Sequence, residues 1–221
     1  MPTDAAIPLE RRGLWRRLAL ERADGSGDIT TTVLWLQTAT LYADIRIPAA
    51  RPAFGRAASL ATLSDGQARW LATQEGFAGR LHLDSDDAHW ERRIDFRPLA
   101  GPPDEGRLVA SRRMMVETGR HETYVEHWWN DDPPAAADTE TIIDEPARIL
   151  VRAGRHFILA HDRRPERPPP GALPQLVQNA SSSERARLLD CEISYGQIEP
   201  AGWRITLSTL PFREGALIEP A

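Results

Sequence analysis

Residues 121–129, HETYVEHWW, carry the densest set of chemically capable groups in the chain. On a strand, where successive side chains alternate in direction, Glu122, Tyr124, Glu126 and Trp128 share one face, and Thr123, Val125, His127 and Trp129 share the other. Either face mixes aromatic and ionisable groups. A barrel lumen that holds a small molecule needs that mixture, with apolar walls for contact and a few polar groups for orientation. The same pattern is also met by core aromatics whose carboxylates pair with arginines on neighbouring strands.

Two other segments offer partners. In residues 89–96, Trp90, Arg92, Ile94 and Phe96 fall on one face, with Glu91, Arg93 and Asp95 opposite. An inward Arg92 beside Glu126 or Tyr124 would hold a ligand carboxylate or hydroxyl through its planar fork, or close an internal salt bridge. In residues 41–47, Tyr42, Asp44 and Arg46 oppose a wholly aliphatic face of Leu41, Ala43, Ile45 and Ile47, so one of the two faces must be interior. Trp35 lies just upstream. The candidate ligand-binding residues are therefore Trp35, Tyr42, Asp44 and Arg46 at the front of the chain, with Trp90, Arg92, Tyr124, Glu126 and Trp128 further on.

No catalytic residue is assigned. All 27 basic residues are arginine, which removes Schiff-base chemistry on a side-chain amine. Cys191 stands between Asp190 and Glu192, whose charges work against a thiolate. Ser181–Ser183 lack a glycine-flanked elbow and, with Glu184 following, read as a turn or helix cap. The acidic stretch DGSGD at 24–28 would repel phosphate. His82 with His89 and His121 with His127 are possible ligand pairs, but the second pair lies about 20 Å apart at roughly 3.3 Å per residue, and no metal or other cofactor is expected. Proton transfer among Glu126, Tyr124 and a histidine or Asp44 keeps an isomerase, cyclase or hydrolase open as an alternative to simple binding.

The bulk properties narrow the setting. A net charge of −5 spread along the chain argues against nucleic acid as a partner. Pairs such as Arg11-Arg12 and Arg163-Arg164 read as solvated surface. Apolar runs are far shorter than the roughly 20 residues a membrane helix needs, so no membrane partner is expected. One cysteine cannot form an internal disulfide, and the absence of a charged-then-apolar leader makes a cytoplasmic location the expectation.

The elements that would position these groups are mostly strands. Strands are expected over 14–20, 33–37, 41–47, 77–83, 89–96, 106–117 and 121–129, each bounded by turn chemistry. Ser64 with Gln67 forms a capping-box pattern that predicts a helix over 65–75. Residues 130–138, NDDPPAAAD, read as a linker between a first β-barrel domain over 1–130 and a second, smaller one over 139–221. In the second, strands are expected over 139–144, 148–151, 157–161, 188–195 and 203–210, the last two joined across Gly196 to Gly202. Residues 175–189 read as partly helical. Residues 165–174, with five prolines, read as an extended, exposed excursion and a possible docking segment for a protein partner.

Three landmarks occur in order: Trp35-Leu36-Gln37-Thr38 with Tyr42, then Glu117-Thr118-Gly119 followed by Glu126 and Trp128, then Ser194-Tyr195-Gly196 followed by Trp203. In these the chain resembles the fungal Hri proteins. The resemblance implies a lipocalin-like (calycin) fold of two unequal barrels packed together, and it implies no activity and no catalytic residues. The expected architecture is accordingly all-β and antiparallel, two packed barrels with one or two short helices. The expected function is binding of a small, largely apolar molecule in the first barrel, with homo-oligomerisation or a protein partner left open.

Overall fold

The computed structural model describes residues 6–55, 57–111, 113–131 and 138–220. The first sheet contains β1 (Gly13–Arg22), β2 (Gly27–Asp28), β3 (Thr32–Gln37), β4 (Leu41–Ile47), β5 (Glu75–Asp84), β6 (Asp87–Asp95), β7 (Glu105–Ser111), β8 (Met114–Gly119) and β9 (Tyr124–Trp129). The second contains β10 (Thr139–Glu145), β11 (Arg148–Ala153), β12 (His156–Asp162), β13 (Cys191–Glu199), β14 (Gly202–Ser208) and β15 (Leu217–Ile218). Helix α1 (Asp65–Leu71) joins β4 to β5, and α2 (Leu173–Asn179) and α3 (Ser182–Leu188) lie between β12 and β13.

Pairing is antiparallel throughout. Strand β1 pairs with β3, the strands follow in order to β9, and β9 returns to β1, which closes an eight-stranded barrel with the two-residue β2 as an appendage on β1. The second sheet runs β10 to β15 in chain order and stays open among the described residues. The expected second barrel is thus corrected to an open sheet. Its last strand is two residues long, too short to carry a closing ladder.

Strand β4 decides how the sheets meet, because both its faces are buried. Leu41, Ala43, Ile45 and Ile47 join Leu34 and Leu36 of β3 in a core shared with Ile149, Val151, Ile158, Cys191 and Ile193 of the second sheet. Burial of each such Leu or Ile contributes about 1.5–3 kcal/mol. The aliphatic face is therefore committed to holding the sheets together. Tyr42, Asp44 and Arg46 are left to face the barrel interior, where the aromatic cluster of Trp15, Trp35, Phe77, Trp90 and Trp128 is packed.

The helices follow their caps. Ser64 and Gln67 form the reciprocal capping box of α1, which stops at Leu71 rather than reaching residue 75. Ser181 and Glu184 do the same for α3, and Pro174 stands in the first turn of α2, where its missing N–H does no harm. The partly helical stretch is in fact two helices, giving three α-helices among the described residues where one or two were expected.

Three further expectations are corrected, and the mostly exposed proline-rich excursion proves to be anchored at its end. Residues 106–117 form two strands of a hairpin, β7 and β8, whose tight connection carries none of Gly, Pro, Asn or Asp to announce it. The hairpin of β13 and β14 turns at Pro200-Ala201, and Gly196 lies inside β13 at a register shift. The proline-rich excursion is docked: Gly171 donates its backbone N–H to the Pro98 carbonyl at 2.7 Å, and Leu173 at its end is fully buried. Of the arginine pairs, Arg11 and Arg164 are buried. Arg164 donates to the Asp95 and Phe96 carbonyls at 2.6 and 2.9 Å and to Asp162, linking the barrel to the second sheet, while Arg11 donates to Asp86 and the Leu108 carbonyl. Residues 132–137 of the proposed linker lie outside the described residues.

Candidate functional site

The barrel encloses a cavity of about 600 Å³. Its exposed lining residues, including Ala100 to Pro103, His121 and Glu122, mark the mouth, and its buried ones, including Trp35, Tyr42, Asp44, Glu117, Glu126 and Trp128, mark the floor. All nine candidate residues, Trp35, Tyr42, Asp44, Arg46, Trp90, Arg92, Tyr124, Glu126 and Trp128, line this one cavity.

Alternation alone does not produce the lining, because two bulges rephase the strands. Between Ala78 and Gly79 of β5 the register against β6 shifts, so that Gly79 pairs with Arg92 while Phe77 pairs with Asp95. The extra residue in β6 keeps Trp90, Arg92 and Asp95 on the lumen side and sends Ile94 and Phe96 into the inter-sheet core. Strict alternation had placed Asp95 opposite Arg92, and Ile94 and Phe96 beside it. The second shift lies between Arg17 and Ala19 of β1, where Leu18 bulges outward and is 45% exposed. Trp15, Arg17 and Leu20 then point inward together.

The polar groups form two sets. Near the mouth, the Arg92 guanidinium lies 3.6 Å from the centroid of the Phe77 ring and donates to Asp104 at 2.5 Å and Asp95 at 3.3 Å. Deeper, Arg46 donates to Asp44 at 2.9 Å, Arg17 donates to Glu126 Oε1 at 2.6 Å, and Arg46 stands 3.5 Å from the same oxygen. Tyr124 donates its hydroxyl to Glu117 Oε1 at 2.7 Å. Glu117 and Glu126 are direct cross-strand partners on β8 and β9, both buried.

On the nine candidate residues, four buried polar atoms have no hydrogen-bond partner among the described residues, Trp35 Nε1, Trp128 Nε1, the Tyr42 hydroxyl and Glu126 Oε2, and elsewhere on the lining His89 Nδ1 lacks one too, standing 3.6 Å from Glu105. Buried polar atoms are ordinarily satisfied, so four on these nine residues is a feature to explain. The indole rings themselves are held by each other, Trp35 meeting Trp128 and Trp90 edge-on at 5.5 and 6.1 Å.

Burial and the facing Glu126 charge push the Glu117 carboxyl up to about 8. Burial also raises Asp44, Asp95 and the Tyr42 phenol. Between the ordinary carboxyl range and about 8, folded protein holds a Glu117 proton that the unfolded chain has lost, so this group lowers stability as pH rises through that window. Glu117→Gln keeps the neutral shape and the acceptor for Tyr124. Urea unfolding of this variant is expected to show a gain over the parent at pH 8 that shrinks at pH 5.

Arg17, Phe77, Asp95, Asp104 and Glu117 belong to the site and were absent from the residues chosen by sequence. Glu117 was in view only as a family landmark. The inward positions of β4, β6, β8 and β9 put carboxyls and guanidinium groups among the tryptophan rings. The histidines serve locally: His82 and His89 face each other across the β5–β6 hairpin with ring centroids 5.9 Å apart, His121 bonds Glu105, and His127 stands 3.5 Å from Glu21. The Cys191 thiol is buried in the inter-sheet core and pushed up by that burial.

No protein-family model matches the sequence. No curated protein matches it either. Among solved structures, an uncharacterized protein from Saccharomyces cerevisiae is similar over 88% of this chain and 84% of its own, with a TM-score of 0.54 at 11% identity. A lipocalin-like protein from Bacteroides uniformis aligns over 55% of this chain and 98% of its own, with a TM-score of 0.35 at 12% identity. The yeast likeness is one of fold.

Proposed function

We propose that the barrel lumen binds a small molecule with a flat apolar body and hydrogen-bonding groups. One observation carries the reading: four unpartnered buried polar atoms, two indole N–H groups, a phenol and a carboxylate oxygen, belong to residues lining a cavity of about 600 Å³. That volume lies within the range usual for small-molecule pockets, roughly 300–1,000 Å³. A ligand contributing acceptors to the indoles, a donor to Glu126 and a polar group to the Tyr42 hydroxyl would satisfy all four, where a dry apolar ligand would leave them stranded at about 1–3 kcal/mol each. Kinship with the fungal Hri proteins, suggested by the sequence landmarks, is compatible with this reading and adds no activity to it.

The test is a titration of pure protein with a panel of amphipathic aromatic compounds and fractionated metabolite extracts, followed by tryptophan emission. A saturable change is expected, because Trp35, Trp90 and Trp128 line the cavity. A flat response across the panel contradicts the proposal.

One observation favours a second reading. A carboxyl held near 8 and bonded to a phenol is suited to proton transfer at neutral pH, with Glu117 as acid or base and Tyr124 as its relay. Mass spectrometry of an extract incubated with protein separates the two readings, since a binder enriches a compound and an enzyme converts one.

A further inference from the structure

Resting on the reading of the lumen as a ligand site, we propose that its ligand is an organic cation, an amine, amidine or protonated nitrogen heterocycle on a flat apolar body, held between Glu126 and Glu117 inside the tryptophan walls.

The charge arrangement selects the sign. An anionic ligand at the floor would have to take an arginine from a partner it already has, because Arg92 is bound by Asp104 and Asp95, Arg46 by Asp44, and Arg17 by Glu126 and Asp28, while Arg22, which has no ion pair among the described residues, stands exposed at the mouth. On the carboxyl side, Glu126 is held through Oε1 alone, by Arg17 at 2.6 Å with Arg46 at 3.5 Å. Glu126 Oε2 has no partner among the described residues, although the side chain is nearly fully buried, and the hydrogen bond found to Glu117 comes from the neutral Tyr124 hydroxyl. Like charges directly opposite on adjacent strands repel. Glu117 and Glu126 stand in that relation inside the barrel, a conflict that a proton on Glu117 relieves and that a bound cation would relieve in its place.

The walls fit the same ligand. Trp35 meets both Trp128 and Trp90, and rings disposed around a desolvated cation attract it through their faces. A bare metal ion is disfavoured by the donor set, since no group of three or more His, Cys, Asp or Glu side chains converges among the described residues.

Binding of a cation is then coupled to a proton. Glu117 faces Glu126 and Tyr124 on β9, Arg46 on β4 and Asp104 in the loop before β7, while β7 itself presents Leu108. With Glu117 holding its proton toward neutral pH, an arriving cation replaces that proton, which leaves to the buffer.

Calorimetry with three probes of one shape tests this: 2-naphthylmethylamine, 2-naphthylmethanol and 2-naphthoic acid, each in two buffers of different ionisation heat between pH 6 and pH 8. The amine is expected to bind at least about tenfold tighter than the alcohol and the acid, to release protons, and to gain affinity as pH rises. In Glu126→Gln, and separately in Glu117→Gln, which does not disturb the Arg17 pair, the preference for the amine over the alcohol is expected to shrink. Equal or tighter binding of the alcohol or the acid overturns the cation assignment and leaves the lumen reading standing. Binding of none of the three at millimolar concentration overturns both.

Discussion

Arg17→Met is expected to lower the unfolding free energy by about 3 kcal/mol, measured by urea denaturation at pH 7. The reason lies in what the substitution strands. Arg17 and Glu126 are 4% and 3% exposed at their side chains and meet at 2.6 Å, so removing the guanidinium leaves a buried carboxylate beside Glu117. Removing one member of such a pair costs about 3–5 kcal/mol. The lower end applies because Arg46 remains 3.5 Å from the same oxygen, and Asp28 keeps the Thr30 and Thr31 amides after losing its bond to Arg17. Pairing Arg17→Met with Glu126→Leu is expected to restore most of the loss, since an apolar pair carries no stranded charge.

Gly79→Ala is expected to be at least as damaging, at about 3 kcal/mol or more. A Cβ there would lie 1.8 Å from the Glu91 carbonyl oxygen and 3.0 Å from the Arg93 nitrogen. Both are backbone atoms of the bulge, which cannot yield as a flexible side chain would, so the bulge itself must be rebuilt. That bulge keeps Arg92 and Asp95 on the lumen side, and ligand affinity is expected to fall with stability. Gly66→Ala is the matched control: it lies in α1 with open space around the added methyl, and a gain of about 0.5–1 kcal/mol is expected from the helix.

The two substitutions also show where the sequence was legible. Period-two alternation grouped Tyr42, Asp44 and Arg46 on one face of β4, and Tyr124, Glu126 and Trp128 on one face of β9, because neither strand is bulged there, but it left open which face turns inward. It misplaced Ile94, Asp95 and Phe96 and hid Arg17, since one extra residue reverses every face beyond it. Gly79, inside an otherwise strand-like run, was the local sign that a bulge was there. The buried roles of Arg11 and Arg164 were invisible, because adjacent arginines look solvated until a distant carbonyl is known to face them. Closure of a sheet is likewise a property of long-range pairing, so one barrel and one open sheet could not be separated from two barrels by counting strands.

A binding lumen makes one site-resolved demand. In a ¹H–¹⁵N spectrum of the indole N–H groups, assigned by single Trp→Phe substitutions, titration with 2-naphthylmethylamine is expected to shift the Trp35 and Trp128 signals together and saturably. Trp70 on α1 and Trp203 on β14, which do not line the cavity, are expected to stay in place. Movement of Trp203 or Trp70 while Trp35 and Trp128 remain still would contradict the account.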